Sequence, residues 1–311
     1  MSAVTTTATD HHQPRTSRHS EATIQHGKDS LISRRQHPLA GAGIYAILVT
    51  MSLVFLVPLL WPILRSFEPG YLVTAPPSSQ DFTHLTLANF RLLFGGSVHI
   101  LRYFLNSCIV VLGTIALTVF LSALAGLGFA RYRFRGQTLV FMLILSTFMI
   151  PFQSILTPLF LELHSFHLLN TLQGLVIVYT TFNLPFAVFV MRNAFKQVPR
   201  EIEESAIVDG AGTRSLLRLM LPLAVPGIMT VCIYTFLFSW TEFLAALTFL
   251  TSQSIFTLPI ALLNIVNGTF GQVNYAVLDA GAVIAMVPSV VVYLALQRYY
   301  VAGFLSASVK G

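Results

Sequence analysis

An all-α, polytopic membrane protein with six transmembrane helices is the fold class that this sequence predicts, and three observations predict it. Apolar residues make up 55% of the 311 residues and charged residues only 10%, whereas soluble domains carry roughly one quarter charged residues. Apolar stretches recur that reach the roughly 20 residues a helix needs to cross the hydrocarbon core. None of them alternates in the manner of a barrel strand, and backbone amides facing lipid must bond within their own segment, so the spans are helices.

Taken in order, residues 1–38 are polar, rich in Thr, Ser, His and Gln, and carry no apolar periodicity. They read as a disordered cytoplasmic tail in which His11 and His12 are solvated. The first span, residues 43–64, starts too late and runs too long for a cleaved signal, whose apolar core is about 7–15 residues, so it reads as an uncleaved anchor. Further spans are expected at residues 104–130, 139–159, 168–191, 223–247 and 280–297, giving a transmembrane domain over 39–311. Pro185 interrupts the fourth of these, either as a packing kink or as a broken helix lining a path. Residues 251–279 hold no Lys or Arg, and their apolar run from Ile255 to Leu263 is too short to cross. That stretch reads as an outside or re-entrant segment.

Charge fixes the orientation. With the N-terminus cytoplasmic, the inside segments hold Arg15, Arg18, Lys28, Arg34, Arg35, Arg131, Arg133, Arg135, Arg192, Lys196, Arg200, Arg214, Arg218, Arg298 and Lys310, and the outside segments only Arg65, Arg91 and Arg102. Fifteen against three satisfies the positive-inside rule and places both termini in the cytoplasm. The net charge of +6 belongs to membrane edges that meet anionic lipid, not to nucleic acid.

Polar groups inside apolar spans face protein or water rather than lipid. Asn106 and Gln153 read as amides bonding across helix interfaces. Asn183, Trp240, Thr241 and Glu242 are candidates for a substrate path. Glu242 is the lone carboxylate of its span and stands beside an aromatic ring, a pairing suited to a sugar; an interfacial Trp with a Glu reaching the aqueous edge fits equally well. Cys108 and Cys232 fall inside spans as small apolar fillers. The tripeptide Asn267-Gly-Thr269 is too loose a pattern to carry a glycosylation site.

The charged loop at about residues 192–222 can be read from its residues. Pro199 suits a helix start, and Glu201, Glu203 and Glu204 favour the positive end of that helix's dipole. Gly210 can close the helix in the left-handed conformation. Downstream, Leu216, Leu217, Leu219 and Met220 interleave with Arg214 and Arg218 ahead of Pro222. A helix of that pattern inserts into a groove or lies on the bilayer surface.

This loop resembles the cytoplasmic coupling loop of ABC importer permeases, which carry Glu-Ala-Ala, three residues, a Gly and a short amphipathic run ending in Leu-Pro. Here Glu204, Ala206, Gly210, Leu221 and Pro222 match. Leu87-Ala-Asn-Phe90, Phe104-Leu-Asn-Ser107, Ala130-Arg-Tyr-Arg-Phe-Arg-Gly136, Phe182-Asn-Leu-Pro-Phe186, Val198-Pro-Arg-Glu201, Trp240-Thr-Glu-Phe243 and the ending from Gln297-Arg-Tyr-Tyr-Val301 to Val309-Lys-Gly311 follow the order seen in carbohydrate-uptake permeases similar to the smaller maltose-system permease. The resemblance covers about residues 40–311. It implies the type I importer transmembrane fold in a prokaryotic inner membrane. It also implies a sugar as solute, a second permease subunit as heterodimer partner, two ATP-binding subunits and an extracytoplasmic solute-binding protein. By the same resemblance, Glu204, Ser205, Ala206, Asp209, Gly210, Ala211, Leu221 and Pro222 dock the ATPase. No Gly-x-x-x-x-Gly-Lys-Ser/Thr phosphate loop occurs, so no cofactor is expected in this chain and ATP-Mg falls to the partner. Three features depart from the family pattern. Ser205 replaces the usual first Ala, Thr241 stands where Asn is common, and the Gly210-to-Pro222 spacing is one residue short, about 100° of helix rotation.

Two other classes fit less of the sequence. A stand-alone secondary carrier of small polar solutes needs ionisable groups in the membrane, where only Glu242 qualifies, and the halves show no repeat. A membrane-embedded enzyme has only His164, His167 and Glu162 to draw on, in an external loop.

Overall fold

The computed structural model describes residues 38–69, 85–96, 98–271 and 273–308. The tail expected over residues 1–38 lies outside them apart from Pro38, the first residue of helix α1 (Pro38–Arg65). The chain divides into two compact units, residues 1–59 and 60–311. The first is described over its part of α1, which is apolar on every face.

In the second unit α2 (Ala88–Gly95) precedes α3 (Ile100–Arg131), a continuous helix. Next come α4 (Gln137–Thr147), a 3-10 turn at Phe152–Ile155, and α5 (Leu156–Ser165). Helix α6 (Leu172–Gln197) returns through the bundle; the Thr171 hydroxyl caps it by accepting from the Gly174 amide at 3.0 Å. The charged loop forms α7 (Arg200–Val208) and α8 (Thr213–Leu223), followed by α9 (Val225–Thr241) and α10 (Leu244–Phe249). A 3-10 turn at Gln253–Ile255, α11 (Leu258–Val266) and α12 (Tyr275–Ser308) complete the described chain. No strand occurs among the described residues.

Four helices are long and apolar enough to cross a membrane unaided: Gly43–Arg65, Ile100–Arg131, Leu172–Gln197 and Tyr275–Gln297. Two bent pairs bring the number of spans to as many as six. The expected third span is therefore not one rod: Gln137–Thr147 and Phe152–Ser165 meet at 92°. Pro151 causes the break, because it lacks an amide hydrogen and pushes the residue before it out of the helical region. The expected fifth span, 223–247, is also two helices, α9 and α10, parted at Glu242. The turn between α8 and α9 at Ala224, flanked by Pro222 and Pro226, bends the chain by 75°. Pro185 does not interrupt the fourth span as expected. Helix α6 continues through it, with the Asn183 side-chain amide donating to the Tyr179 carbonyl at 2.7 Å and the Thr181 hydroxyl to the Ile177 carbonyl at 2.8 Å.

Helices α3 and α6 form the centre. They approach so closely that a Cβ on Gly126 would lie 2.6 Å from the Met191 Cβ and 2.9 Å from the Arg192 backbone nitrogen. Only glycine permits that crossing, and membrane helices without a hydrophobic drive between them associate through such close backbone packing. Ala123, Leu127, Ala187, Met191 and Phe195 continue the seam with Val231 of α9.

The stretch expected outside or re-entrant folds as the 3-10 turn and α11, whose Leu258, Ile260, Ala261 and Ile265 are buried. Its backbone is held by α3. Asn106 donates to the Ser254 and Phe256 carbonyls at 3.1 and 2.9 Å, and the Ser107 hydroxyl accepts from the Leu258 amide at 2.8 Å. Asn170, in the left-handed region at φ 58°, accepts from the Thr251 and Ser252 amides at 2.9 Å each and donates to the Ser252 hydroxyl at 2.7 Å. Irregular backbone at membrane depth survives only with such internal partners.

Candidate functional site

At the end of α6, Val198-Pro199 turns the chain into α7, whose first turn carries Glu201 and Glu203 where the helix dipole favours them. Asp209 closes the helix and Gly210 follows at φ +81°. The Gly210 amide donates to Ile207 O and the Ala211 amide to Ala206 O, each at 2.9 Å. These two bonds are the paired Schellman closure, and an L side chain at that φ is strained. Gly212 then leads into α8.

Of the residues marked in this loop by sequence, Glu204, Ser205, Asp209, Gly210 and Pro222 are exposed, and Ala206, Ala211 and Leu221 half-buried. The structure brings them together on one helix-break-helix element. Sequence reasoning passed over Ile207 and Val208, which are 55% and 87% exposed. Two aliphatic side chains thus lie bare beside the glycine break. An apolar pair at the end of an otherwise charged helix was the available signal.

Helix α8 differs from the expectation of an apolar face free to enter a groove elsewhere or lie on a bilayer. Leu216 and Met220 are buried in this chain's own core with Phe195, Val198 and Ala224, and Leu217 and Leu221 pack against it. Leu216 and Met220 thus anchor the loop to the ends of α6 and α9, while Leu219 of the same helix stays exposed.

Arg131, the last residue of α3, reaches the same loop. Its Nε lies 3.1 Å from Glu203 Oε2, the two side chains being 4% and 18% exposed, and its Nη2 donates to the Val198 carbonyl at 2.7 Å. A cavity of about 520 Å³ opens nearby, lined by Asn193, Gln197, Ile202, Leu223 and Thr230 among others.

The four residues assigned to a substrate path fare differently. Asn183 is fully buried in α6. Trp240 is 5% exposed, stacks on Phe236 with ring centroids 5.8 Å apart, meets Phe104 edge-on and donates its Nε1 hydrogen to Ala285 O at 3.0 Å, joining α9 to α12. Thr241 is exposed, its hydroxyl turned back to Leu237 O at 2.7 Å. Glu242 is half-buried in the break between α9 and α10. Its Oε1 accepts from the Leu244 and Ala245 amides at 2.8 and 3.0 Å and its Oε2 from the Tyr179 hydroxyl at 2.5 Å. The carboxylate thus caps α10 and ties it to α6, which fills much of its capacity of about four acceptor sites. Tyr179 went unnoticed in the sequence because nothing local connects it to a residue 63 positions on. Among the expected interface amides, Asn106 holds the backbone of Ser254 and Phe256, and Gln153 is exposed at the break in the third span.

Residues 118–305 match the model of a family described as binding-protein-dependent transport system inner membrane component. The chain is 34% identical over 256 residues to the diacetylchitobiose uptake system permease protein NgcG of Streptomyces coelicolor, covering 82% of this chain and 84% of that one. It is 32% identical to the arabinooligosaccharides transport system permease protein AraQ of Bacillus subtilis, over 84% of this chain and 92% of the relative. It is also 32% identical to the trehalose transport system permease protein SugB of Mycobacterium tuberculosis, over 86% and 97%. Among solved structures, a bacterial ABC transporter involved in import of the acidic polysaccharide alginate superposes with a TM-score of 0.72 at 21% identity, covering 86% of this chain and 98% of that chain. At that identity the match speaks for the fold, the importer-type transmembrane bundle.

Proposed function

Because the chain belongs to the family of binding-protein-dependent transport system inner membrane components, we propose that it forms half of the translocation path of an ATP-driven sugar importer and draws its energy through α7 and α8. The observation that carries this reading is the largely exposed Glu204–Ala211 segment, a helix closed by Gly210 with Ile207 and Val208 uncovered beside it. Such an element, fixed to the ends of α6 and α9 by Leu216 and Met220, transfers a push from outside to the spans. The ATPase supplies that push. Two ATP-binding subunits hold ATP-Mg, and their closure displaces the loop and tilts the bundle from inward-open to outward-open. This chain itself binds no nucleotide and catalyses nothing.

The remaining assembly is a second permease subunit as heterodimer partner and an extracytoplasmic solute-binding protein. Both termini and the coupling loop face the cytoplasm of a prokaryotic cell, in keeping with fifteen of the 18 basic residues on that side. Carbohydrate as solute rests on the relatives, which are permease proteins of transport systems for diacetylchitobiose, arabinooligosaccharides and trehalose. Within the path, Thr241 and the remaining face of Glu242 are the reachable polar groups of the four, with Asn183 and Trp240 shaping it from behind.

The test is Gly210→Leu in the native cell, with solute uptake and co-purification of an ATPase measured together. Lost uptake is the expected result, with the ATPase bound more weakly. Normal uptake in a complex of unchanged composition would sink the coupling role.

A further inference from the structure

We propose that Arg131 is a positioning residue that makes α7 and the adjoining half of α3 move as one body, so that displacement of the coupling loop enters the bundle through α3 as well as through α6. The inference rests on the importer reading above.

Three elements meet at this one guanidinium. Arg131 ends α3, its Nη2 holds the carbonyl of Val198, which closes α6, and its Nε faces Glu203 in the first turn of α7. Nη2 makes the hydrogen bond to Val198 O, while Nε meets the Glu203 carboxylate as a close ion pair without an aligned hydrogen bond, so one planar guanidinium serves both partners at once. Burial makes the link selective. The Arg131 side chain is 4% exposed, while Arg133 and Arg135 of the same loop are exposed. A charge withdrawn from water is costly once its partner leaves, so α7 cannot drift from α3 without stranding it. Leaving Val198 O unbonded adds a further penalty. The start of α4 joins the same knot: Gln137 Nε2 donates to the Phe129 and Tyr132 carbonyls at 2.8 and 3.0 Å. Sequence alone treats Arg131 as one basic membrane-edge residue among three and Glu203 as a dipole partner. Their pairing across 72 positions makes them a joint between the loop and a second helix.

The experiment uses the whole importer in nanodiscs, with Cys108 and Cys232 replaced by Ser and spin labels at the exposed positions Val208 in α7 and Phe120 in α3. Mg-ATP with vanadate is the probe. In the otherwise unaltered complex the label separation should hold to about 2 Å on trapping, the scale of small helix shifts. In Arg131→Gln and in Glu203→Gln it should change by about 5 Å, one helical turn. ATP hydrolysis stimulated by the binding protein should fall about tenfold in either variant, within the range seen for coupling positions. The double variant should be no worse than Arg131→Gln alone, because both remove one joint. Arg133→Gln serves as the comparator for losing a basic residue from this loop and should hold its label separation. If Arg131→Gln fails to assemble, Glu203→Gln decides, since Glu203 lies on the loop's own helix. Assembled variants that only melt at lower temperature, with label separation and hydrolysis unchanged, would overturn the proposal and leave Arg131 a packing residue. A full-turn change in the unaltered complex would overturn it too. Failure of the unaltered complex to hydrolyse ATP at all would take down the importer reading, and this proposal with it.

Discussion

The coupling loop and the opposite end of the bundle are both rich in polar residues, yet they use them in opposite ways. At the opposite end, Asn106, Ser107, Asn170 and Glu242 each hold backbone groups of irregular segments between residues 242 and 258. In the loop, Glu204, Ser205, Asp209 and Gly210 stand exposed, and the helix between them closes on its own backbone. Polar side chains consumed internally build a scaffold, whereas the loop's exposed carboxylates face outward and only Ser205 turns back, to Ile202 O at 3.0 Å. The same residue types, read from sequence, do not say which.

Substitutions should separate the two ends, most sharply at Glu242. Glu242→Ala removes the cap of α10 and the partner of the Tyr179 hydroxyl. We expect about 3 kcal/mol of lost stability, since bonds to charged groups contribute about 1.5–3 kcal/mol and a cap about 1 kcal/mol. Thermal melting in detergent reads this out; an unchanged melt with abolished uptake would instead make Glu242 a solute contact. Asn106→Ala should cost about 2 kcal/mol by orphaning two carbonyls, visible as faster hydrogen exchange confined to residues 251–258. Exchange spread evenly over the bundle would count against the stapling role.

The coupling end should respond less in stability and more in assembly. Gly210→Ala places an L residue at φ +81°, a strain of about 1 kcal/mol. Exchange at the amides of positions 210 and 211 should rise while the bundle melts as before. Val208→Asp, at a position 87% exposed, should change the melt of this chain by under about 0.5 kcal/mol yet weaken capture of the ATPase. Equal capture by wild type and variant would remove Val208 from the docking surface.

Much of the fold could be read in advance. Approximate span positions follow from composition, while the expected number of six is reached only if each bent pair is one span; the sequence reading passed over Pro151, which breaks the third. The break at Glu242 carries no such sign. It exists because a carboxylate captures the amides of α10 while bonded to Tyr179, and the neighbouring Trp240 binds a carbonyl 45 residues away. In the candidate site the helix start at Pro199 and the closure at Gly210 were foreseen from local chemistry. The burial of Leu216 and Met220 against α6 was not, because amphipathicity says that a face will be covered without saying by what.

By itself, the sequence determined what depends on a few adjacent residues and on the solvent around them. A bilayer demands apolar helices of fixed length, basic residues collect on one side, and proline and glycine start and stop helices through their own backbone geometry. Tertiary structure alone decided the fate of each polar group. Asn106 finds its acceptor 150 residues on, and Arg131 joins α3 to Val198 67 residues away and to Glu203. Hydrogen bonds and ion pairs act over a few ångströms, so their partners are fixed only when packing has brought distant helices together.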